Sequence, residues 1–329
     1  MKHLCKKYNI DIYKSSLLDF YFRDMKAGVL DIETTGLNPS LNKFILGGLY
    51  DTSEGSLHQF FAESRGEEEE ALTGFYRELK AFDMVVTYNG RHFDMPFIQK
   101  RLLKYGIREP FPPVYNLDLY LVLNGHSPLK KFVPNLKQKT VESYMGLWQS
   151  RSDEISGAQS VELYAAYEKE RDPALERSIL LHNSDDILQL ARLIKVVTKS
   201  DFHRAMFHLG FPAGPLTVTK ILLEKDFLVV SGIQRAADME YMSFSLEGQP
   251  VEARFERRSR SFTIRLPVIR NRGMVIADLD ALAMDTSAFE KYPAFASGFL
   301  VLEGQEGRNY MEINHFIKAF TENFLERII

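Results

Sequence analysis

The chain has 329 residues, of which 45% are hydrophobic and 26% charged, and its formal net charge is −3 at pH 7. This is an ordinary globular composition with room for one large domain or two, and neither internal repeats nor low-complexity segments interrupt it. The single cysteine, Cys5, excludes an internal disulfide, and no apolar run approaches the length of a membrane span. No apolar segment of signal-peptide length follows Met1, so we expect a cytoplasmic protein.

Up to residue 118, short β-branched or apolar runs alternate with longer amphipathic stretches. They predict strands over residues 28–33, 43–50, 56–62, 84–88 and 114–118, and helices over 67–82 and 94–106. Three neighbouring strands followed by alternating helices and strands indicate an α/β fold. The acidic run 67–70 is interpreted as the first turn of a helix, without chemistry. Residues 119–198 are predicted to be mostly helical and to end in a long helix.

The pattern changes near residue 200. The sequence GFPAGP at 210–215 predicts a linker or loop. Beyond it, alternating stretches at 262–266 and 274–277 and an amphipathic helix over about 313–328 predict a smaller β-rich domain closed by that helix. We therefore expect two domains, residues 1–200 and 201–329.

Two carboxylates at the end of the first predicted strand are the most informative feature. Asp31 and Glu33 follow an apolar run and precede a turn signal. Because side chains alternate along a strand, both carboxylates project to the same side. Neighbouring buried carboxylates repel each other and are costly to desolvate, and a divalent cation relieves both penalties. The alternative is a surface strand with scattered acids, which the flanking apolar run disfavours.

Two later segments supply further candidate ligands. Asp94 stands at a predicted helix start, after a strand that ends in an Asn-Gly turn. His182 and Asp186 are four residues apart, so one face of a helix presents both. Asp185 is the alternative candidate for the metal ligand on this helix, but it lies off the face that presents His182 and Asp186.

These residues carry a family resemblance. The blocks DIETTGL, YNGRHFDMPFI and HNSDDILQL occur in the order found in DEDD exonucleases of the ribonuclease-H-like superfamily. Between the last two blocks, NLDLY at 116–120 and RSDEISG at 151–157 are similar to a bacterial subgroup often labelled YprB-like. The resemblance covers about residues 25–198 and does not extend to the remainder.

The resemblance implies a ribonuclease-H-like mixed β-sheet flanked by helices and a metal-dependent 3′–5′ exonuclease acting on DNA or RNA. It also implies two divalent ions. By this resemblance, Asp31 would bridge both ions, Glu33 and Asp186 would bind the first, and Asp94 would hold the second mainly through water. Carboxylate oxygens without a Cys or His cluster favour Mg²⁺ or Mn²⁺ over zinc.

His182 departs from the family pattern. DEDD enzymes place a Tyr four residues before the last acid or a His five before it, whereas His182 stands four before Asp186. We interpret His182 as the general base that takes the proton of the attacking water, or as a structural histidine at a helix start. The unusual spacing motivates an alternative function, that of a catalytically inert nucleic-acid or protein-binding module. An endonuclease or transferase on the same fold is a third possible function. Four costly carboxylates favour an enzyme.

The resemblance also indicates substrate-binding residues near the acids. Thr34, Thr35 and Leu37 follow the catalytic strand where the family cradles the terminal nucleotide, or they only form a turn. Asn89 orients Asp94, touches phosphate, or only shapes its turn. Phe93 stacks on a base or packs in the core.

Two segments are locally basic in a slightly acidic chain. Residues 128–139 contain four lysines and no acid, and residues 254–272 contain seven arginines and one acid. Each segment contacts phosphate or is a solvated face. We expect nucleic acid as the partner, no membrane association, and an arginine-bearing strand pair at 254–272 that holds the nucleic acid.

Overall fold

The structure is a computed structural model that describes residues 1–107, 113–147, 152, 155, 157–244 and 251–328. The chain divides into two compact units, Met1–Ser200 and Asp201–Ile329. Asp153 and Glu154, from the second block of the subgroup resemblance, lie outside the described residues. Among the described helices, none is long and apolar enough to cross a membrane.

The described part of the first unit is one mixed sheet with helices around it. Its strands are β1 Lys2–Lys7, β2 Ala27–Thr34, β3 Phe44–Asp51, β4 Ser56–Phe61, β5 Met84–Thr87 and β6 Tyr115–Asp118. Its helices are α1 Ser16–Phe22, α2 Glu68–Leu79, α3 Asp94–Lys104, α4 Leu119–His126, α5 Gln138–Tyr144, α6 Gly157–Glu170 and α7 Pro173–Leu193. The strand order is β1-β4-β3-β2-β5-β6, with β2, β5 and β6 parallel and the other pairs antiparallel. The predicted α/β fold with a mixed sheet is confirmed.

Two adjacent glycines in β3 let helices approach this sheet closely. A Cβ on Gly47 would lie 2.6 Å from the Phe75 ring of α2. A Cβ on Gly48 would lie 2.2 Å from Ile187 Cδ1 and 2.3 Å from Asn183 Oδ1, both on α7. These distances are shorter than any ordinary carbon contact, so α2 and α7 reach β3 only because both positions lack a side chain. Gly48 is also the cross-strand partner of Asp31 in β2.

A buried ion pair ties α2 and α3 to the start of β3. Glu68 and Arg101 are both fully buried. Arg101 donates from Nε to Glu68 Oε1 at 2.6 Å and from Nη2 to Glu68 Oε2 at 2.5 Å, and the Phe44 N–H donates to Oε1 at 2.8 Å. Interpreting the acidic run only as a helix start fits the exposed Glu69 and Glu70, but it misses Glu68.

Arg101→Met should destabilise the first unit strongly. The substitution leaves the Glu68 carboxylate buried without its cation, a change that typically costs about 3–5 kcal/mol. Denaturant-induced unfolding measures the loss. Lys104→Met, on the exposed face of the same helix, is the matched control and should have little effect. Equal stabilities of the two variants would contradict the assignment.

The second unit is rich in antiparallel strands, as predicted. One sheet, in the order β10-β11-β12-β9-β8-β7, consists of β7 Phe211–Ala213, β8 Leu216–Leu223, β9 Phe227–Gln234, β10 Tyr241–Ser243, β11 Glu252–Glu256 and β12 Ser261–Pro267. The other contains β13 Ile269–Asn271, β14 Met274–Asp278, β15 Phe295–Ala296, β16 Phe299–Gly304 and β17 Gly307–Arg308. The helices are α8 Phe202–Leu209 and α9 Tyr310–Ile328.

The predicted linker at 210–215 is wrong. Phe211–Ala213 is a buried strand paired with β8, so the segment is part of a hairpin. Gly210 and Gly214 have φ values of 88° and 56°, which explains the glycines that suggested a loop.

Most arginines of the 254–272 segment have partners within the second unit. Five of the seven contact acids or backbone carbonyls: Arg254 pairs with Glu256, Arg257 with Asp238, Arg265 with Glu224 and Glu252, and Arg260 and Arg270 donate to carbonyl oxygens. The β11–β12 pair therefore bears arginines as expected, but acids on the same unit offset much of their charge.

Candidate metal centre

Three elements bring the predicted acids together. Strand β2 carries Asp31 and Glu33, α3 begins with Asp94, and α7 carries His182 and Asp186. His182 Nε2 lies 3.6 Å from Glu33 Oε1 and 3.7 Å from Asp186 Oδ2. One ligand atom from each of these three residues lies within 4.8 Å of the other two, a spacing that can hold a metal ion. We call Asp31, Glu33, Asp94 and Asp186 the acid cluster.

Asp94 is held against the strand that carries the first two acids. Its buried carboxylate accepts a hydrogen bond through Oδ1 from the Ile32 N–H at 3.3 Å. Ile32 lies between Asp31 and Glu33, so this bond fixes the start of α3 next to both. The predicted helix start at Asp94 is confirmed.

Burial and mutual repulsion disfavour the charged forms of these acids. Burial raises the pKa of Asp31 well above its usual range, and the carboxylates of Glu33, Asp94 and Asp186 raise it further. Burial also raises the pKa of Glu33 to about 7, although His182 lowers it in part. For Asp94, burial raises the pKa to about 7 against the opposing effect of backbone hydrogen bonds. Without a cation, Asp31, Glu33 and Asp94 therefore retain protons near neutral pH.

The metal-free protein should lose stability as pH rises from 5 to 8. An unfolded carboxyl has a pKa of about 4, whereas Glu33 and Asp94 reach about 7 when folded. Folding therefore binds protons in this window, so the stabilisation is complete below about pH 4 and is lost as pH passes about 7. Thermal unfolding in chelator measures the decline, and Mn²⁺ should reverse it at pH 8 more than at pH 5.

Glu33→Gln is the control for that decline. It removes one of the titrating groups, so its melting temperature should fall less steeply with pH than that of the wild type. A wild-type curve that is flat between pH 5 and 8, or one that the substitution leaves unchanged, would contradict the assignment.

Asn183 is a site residue that sequence reasoning missed. Its Nδ2 donates to Asp31 Oδ2 at 3.0 Å and to the Asp31 carbonyl at 3.2 Å. Gln59 Nε2 donates to Asn183 Oδ1 at 3.0 Å, which fixes the orientation of the amide. The amide reaches Asp31 because Gly48 leaves the space open. The available signal was its place in the HNSDD block, one residue after His182 and three before Asp186.

Asp185, the neighbour of Asp186, has a hydrogen-bond partner outside the acid cluster. Asp185 is buried, and its Oδ2 accepts from the Ser152 N–H at 2.6 Å. Helix α7 begins at Pro173 after the capping residue Asp172, so His182 lies mid-helix. The predicted placement of His182 at a helix start is therefore wrong.

The candidate nucleotide-cradling residues lie at the end of β2, where Thr34 is the last strand residue and Thr35 and Leu37 belong to the bend that follows. Thr34 Oγ1 donates to the Gly36 carbonyl at 2.9 Å, and Thr35 Oγ1 accepts from the Lys43 N–H at 2.9 Å. Leu37 is 81% exposed. Both hydroxyls thus form hydrogen bonds with backbone groups of this segment, whereas the Leu37 side chain is exposed to solvent.

Asn89 and Phe93 occupy the turn between β5 and α3. Asn89 has a φ of 65°, and its N–H donates to Asp118 Oδ1 at 2.9 Å. Asp118 also accepts from the Leu121 N–H at 3.3 Å, so it caps α4. Phe93 is half-buried and packs against the core beside the fully buried Phe97. Asn89 therefore helps to fix this turn, and Phe93 contributes to the packing of the core.

A family model, described as RNase_H_2 of the RNase_H superfamily, matches residues 29–198. This segment is just over half of the chain and contains the acid cluster and His182. The chain belongs to the RNase_H superfamily. The superfamily part of the predicted resemblance is confirmed, while the DEDD and YprB-like assignments stay predictions.

Among solved structures, this RNase_H superfamily member is similar to a family B DNA polymerase from the hyperthermophilic archaeon Pyrobaculum calidifontis. The identity is 20% and the TM-score 0.44, over 53% of this chain and 24% of the polymerase chain. This chain thus spans about a quarter of the length of the polymerase. No curated protein matches the chain.

Proposed function

We propose that this RNase_H superfamily member is a metal-dependent 3′–5′ exonuclease that hydrolyses phosphodiester bonds of DNA or RNA. The observation that carries the proposal is the acid cluster, which draws its carboxylates from β2, α3 and α7 and places those of Glu33 and Asp186 within 3.7 Å of His182 Nε2. Residues 201–329 are proposed as an accessory domain.

The donor atoms of the site fit hard divalent cations. Carboxylate oxygens are the preferred ligands of Mg²⁺ and Mn²⁺, and a cation would relieve the repulsion that raises the pKa of Asp31. Asp31, Glu33, Asp94 and Asp186 would hold two such ions, which would stabilise charge on the phosphate and make water more acidic.

The protein's own residues prepare the site for hydrolysis. Asn183 orients the Asp31 carboxylate, and the Ile32 N–H orients that of Asp94. His182 Nε2, in its neutral form, can accept a proton from the attacking water. The carboxylates of Glu33 and Asp186, 3.6 and 3.7 Å from Nε2, would stabilise the imidazolium that forms.

Cleavage of end-labelled substrates tests the proposal. The full chain is incubated with single- and double-stranded DNA and RNA in Mg²⁺, Mn²⁺ or chelator. A 5′-labelled strand should give a ladder that shortens with time, and a 3′-labelled strand should give only labelled mononucleotide. One internal product would indicate an endonuclease, and binding without any product would indicate the inert module.

Asp31→Asn and Asp186→Asn should each abolish turnover while the protein stays folded. Each substitution removes a proposed metal ligand, and it also relieves carboxylate repulsion, so melting temperature without metal should hold or rise. Asp185→Asn is the matched control, since Asp185 is the adjacent buried carboxylate and accepts a hydrogen bond from the Ser152 N–H. Loss of activity in Asp185→Asn with retention in Asp186→Asn would overturn the ligand assignment.

His182→Ala should lower the rate of cleavage by about 10²–10⁴, with substrate affinity little changed, if His182 is the general base. Single-turnover kinetics at saturating substrate measures the chemical step, and binding in chelator measures affinity. A near wild-type rate with a lowered melting temperature would instead make His182 a packing residue.

A further inference from the structure

A groove of about 710 Å³ lies in the first unit. It lies between the end of β5, the start of α4 and the segment 130–138, and its walls include Tyr88, Asn89, Tyr120, Lys130, Lys137 and Gln138. The Tyr88 hydroxyl donates to the Leu136 carbonyl at 2.6 Å, which ties the segment 130–138 to the end of β5.

One hydrogen bond and one strand register place this groove next to the proposed metal ligands. Gln138 Nε2 donates to the backbone carbonyl of Asp186 at 2.9 Å. Tyr88 and Asn89 directly follow β5, which runs parallel to β2 with Val86 opposite Val29. Extended by two residues, this register sets Tyr88 level with Asp31 on the neighbouring strand.

The groove has the chemistry of a polynucleotide surface. Lys130 and Lys137 are exposed at its rim, and none of the described residues that line it is acidic. The half-buried rings of Tyr88 and Tyr120 lie 5.9 Å apart, nearly edge to face. Ammonium groups that follow a phosphate backbone and aromatic rings that stack on bases are the usual pair of contacts to single strands.

The structure also distinguishes the two basic segments of the sequence. In 254–272, acids or carbonyls of the second unit contact five of the seven arginines. In 128–139, Lys130 and Lys137 border a groove in which no described lining residue is acidic, and Gln138 of the same groove contacts the Asp186 carbonyl. The lysine segment is therefore the better source of phosphate contacts.

We infer that this groove binds a single-stranded polynucleotide, with Lys130 and Lys137 on its phosphates and Tyr120 against a base, and so feeds the strand to the acid cluster. The inference rests on the proposed nuclease function and names its substrate class. The volume lies in the range of about 300–1,000 Å³ that encloses a drug-sized ligand, which suits a short stretch of one strand. A duplex would have to bring a second backbone into the same space.

Equilibrium binding of fluorescent oligonucleotides in chelator tests the inference without cleavage. The probes are single-stranded DNA, single-stranded RNA and the corresponding duplexes, each measured over a range of salt concentrations. Lys130→Gln with Lys137→Gln should weaken single-strand binding roughly tenfold at low salt, as expected for two exposed ion pairs. The salt slope should fall by about 1.4, or about 0.7 for each lost contact.

Two further variants separate charge from stacking. Lys100→Gln with Lys104→Gln removes two exposed lysines from α3 and should bind like the wild type. Tyr120→Leu keeps an apolar side chain and all charges, so it should lower affinity with the salt slope unchanged. Stronger binding of either the DNA or the RNA strand would identify the natural polymer.

Several results would overturn the inference. The first is unchanged affinity and salt slope in the double lysine variant, and the second is an equal loss of affinity in the Lys100/Lys104 control. The third is duplex binding as tight as single-strand binding, and the fourth is competition by polyglutamate as effective as competition by an unlabelled single strand. Cleavage by the wild type is scored separately. Cleavage with an unaffected double lysine variant would reject the groove alone, whereas absence of both cleavage and binding in the wild type would reject the proposed function.

Discussion

The burial of several carboxylates in one cluster is the constraint on which the first unit depends. Desolvation and repulsion act together on Asp31, Glu33 and Asp94, while hydrogen bonds and, for Glu33, the neighbouring His182 oppose them. A backbone N–H holds Asp94, and the Asn183 amide holds Asp31. These contacts orient the oxygens but add no positive charge. A bound cation would neutralise these carboxylates, and it would also supply the charge stabilisation that the proposed phosphodiester hydrolysis needs.

The cluster exists because α7 can lie directly on the sheet. Gly48 stands opposite Asp31, and any side chain there would collide with Asn183 and Ile187. The same approach brings His182 and Asp186 over Glu33. One missing side chain thus controls the placement of a hydrogen-bond donor and two candidate functional groups. In sequence, the Gly47-Gly48 pair indicates only the boundary of a strand. The neighbouring residues do not show which helix packs against these glycines.

Local pattern could predict much of this molecule. The boundaries of β2 to β6 and of α3 lie within about two residues of those expected from apolar periodicity and turn residues, because these elements bury continuous apolar faces. Strand β1 was missed because its sequence KHLCKK is polar and its strand conformation comes from pairing with β4. Glu68, Arg101 and Asn183 were missed for a related reason. Their roles depend on partners 33 to 152 residues away, which no local pattern encodes.

A calorimetric titration of the full chain with Mn²⁺ at pH 7 measures whether the acid cluster binds divalent cations. If the acid cluster is a metal site, we expect saturable binding of two ions per chain, proton release because Glu33 and Asp94 have pKa values of about 7, and loss of that binding in the Asp31→Asn variant. Absence of saturable binding, or the same isotherm for the wild type and Asp31→Asn, would contradict this assignment.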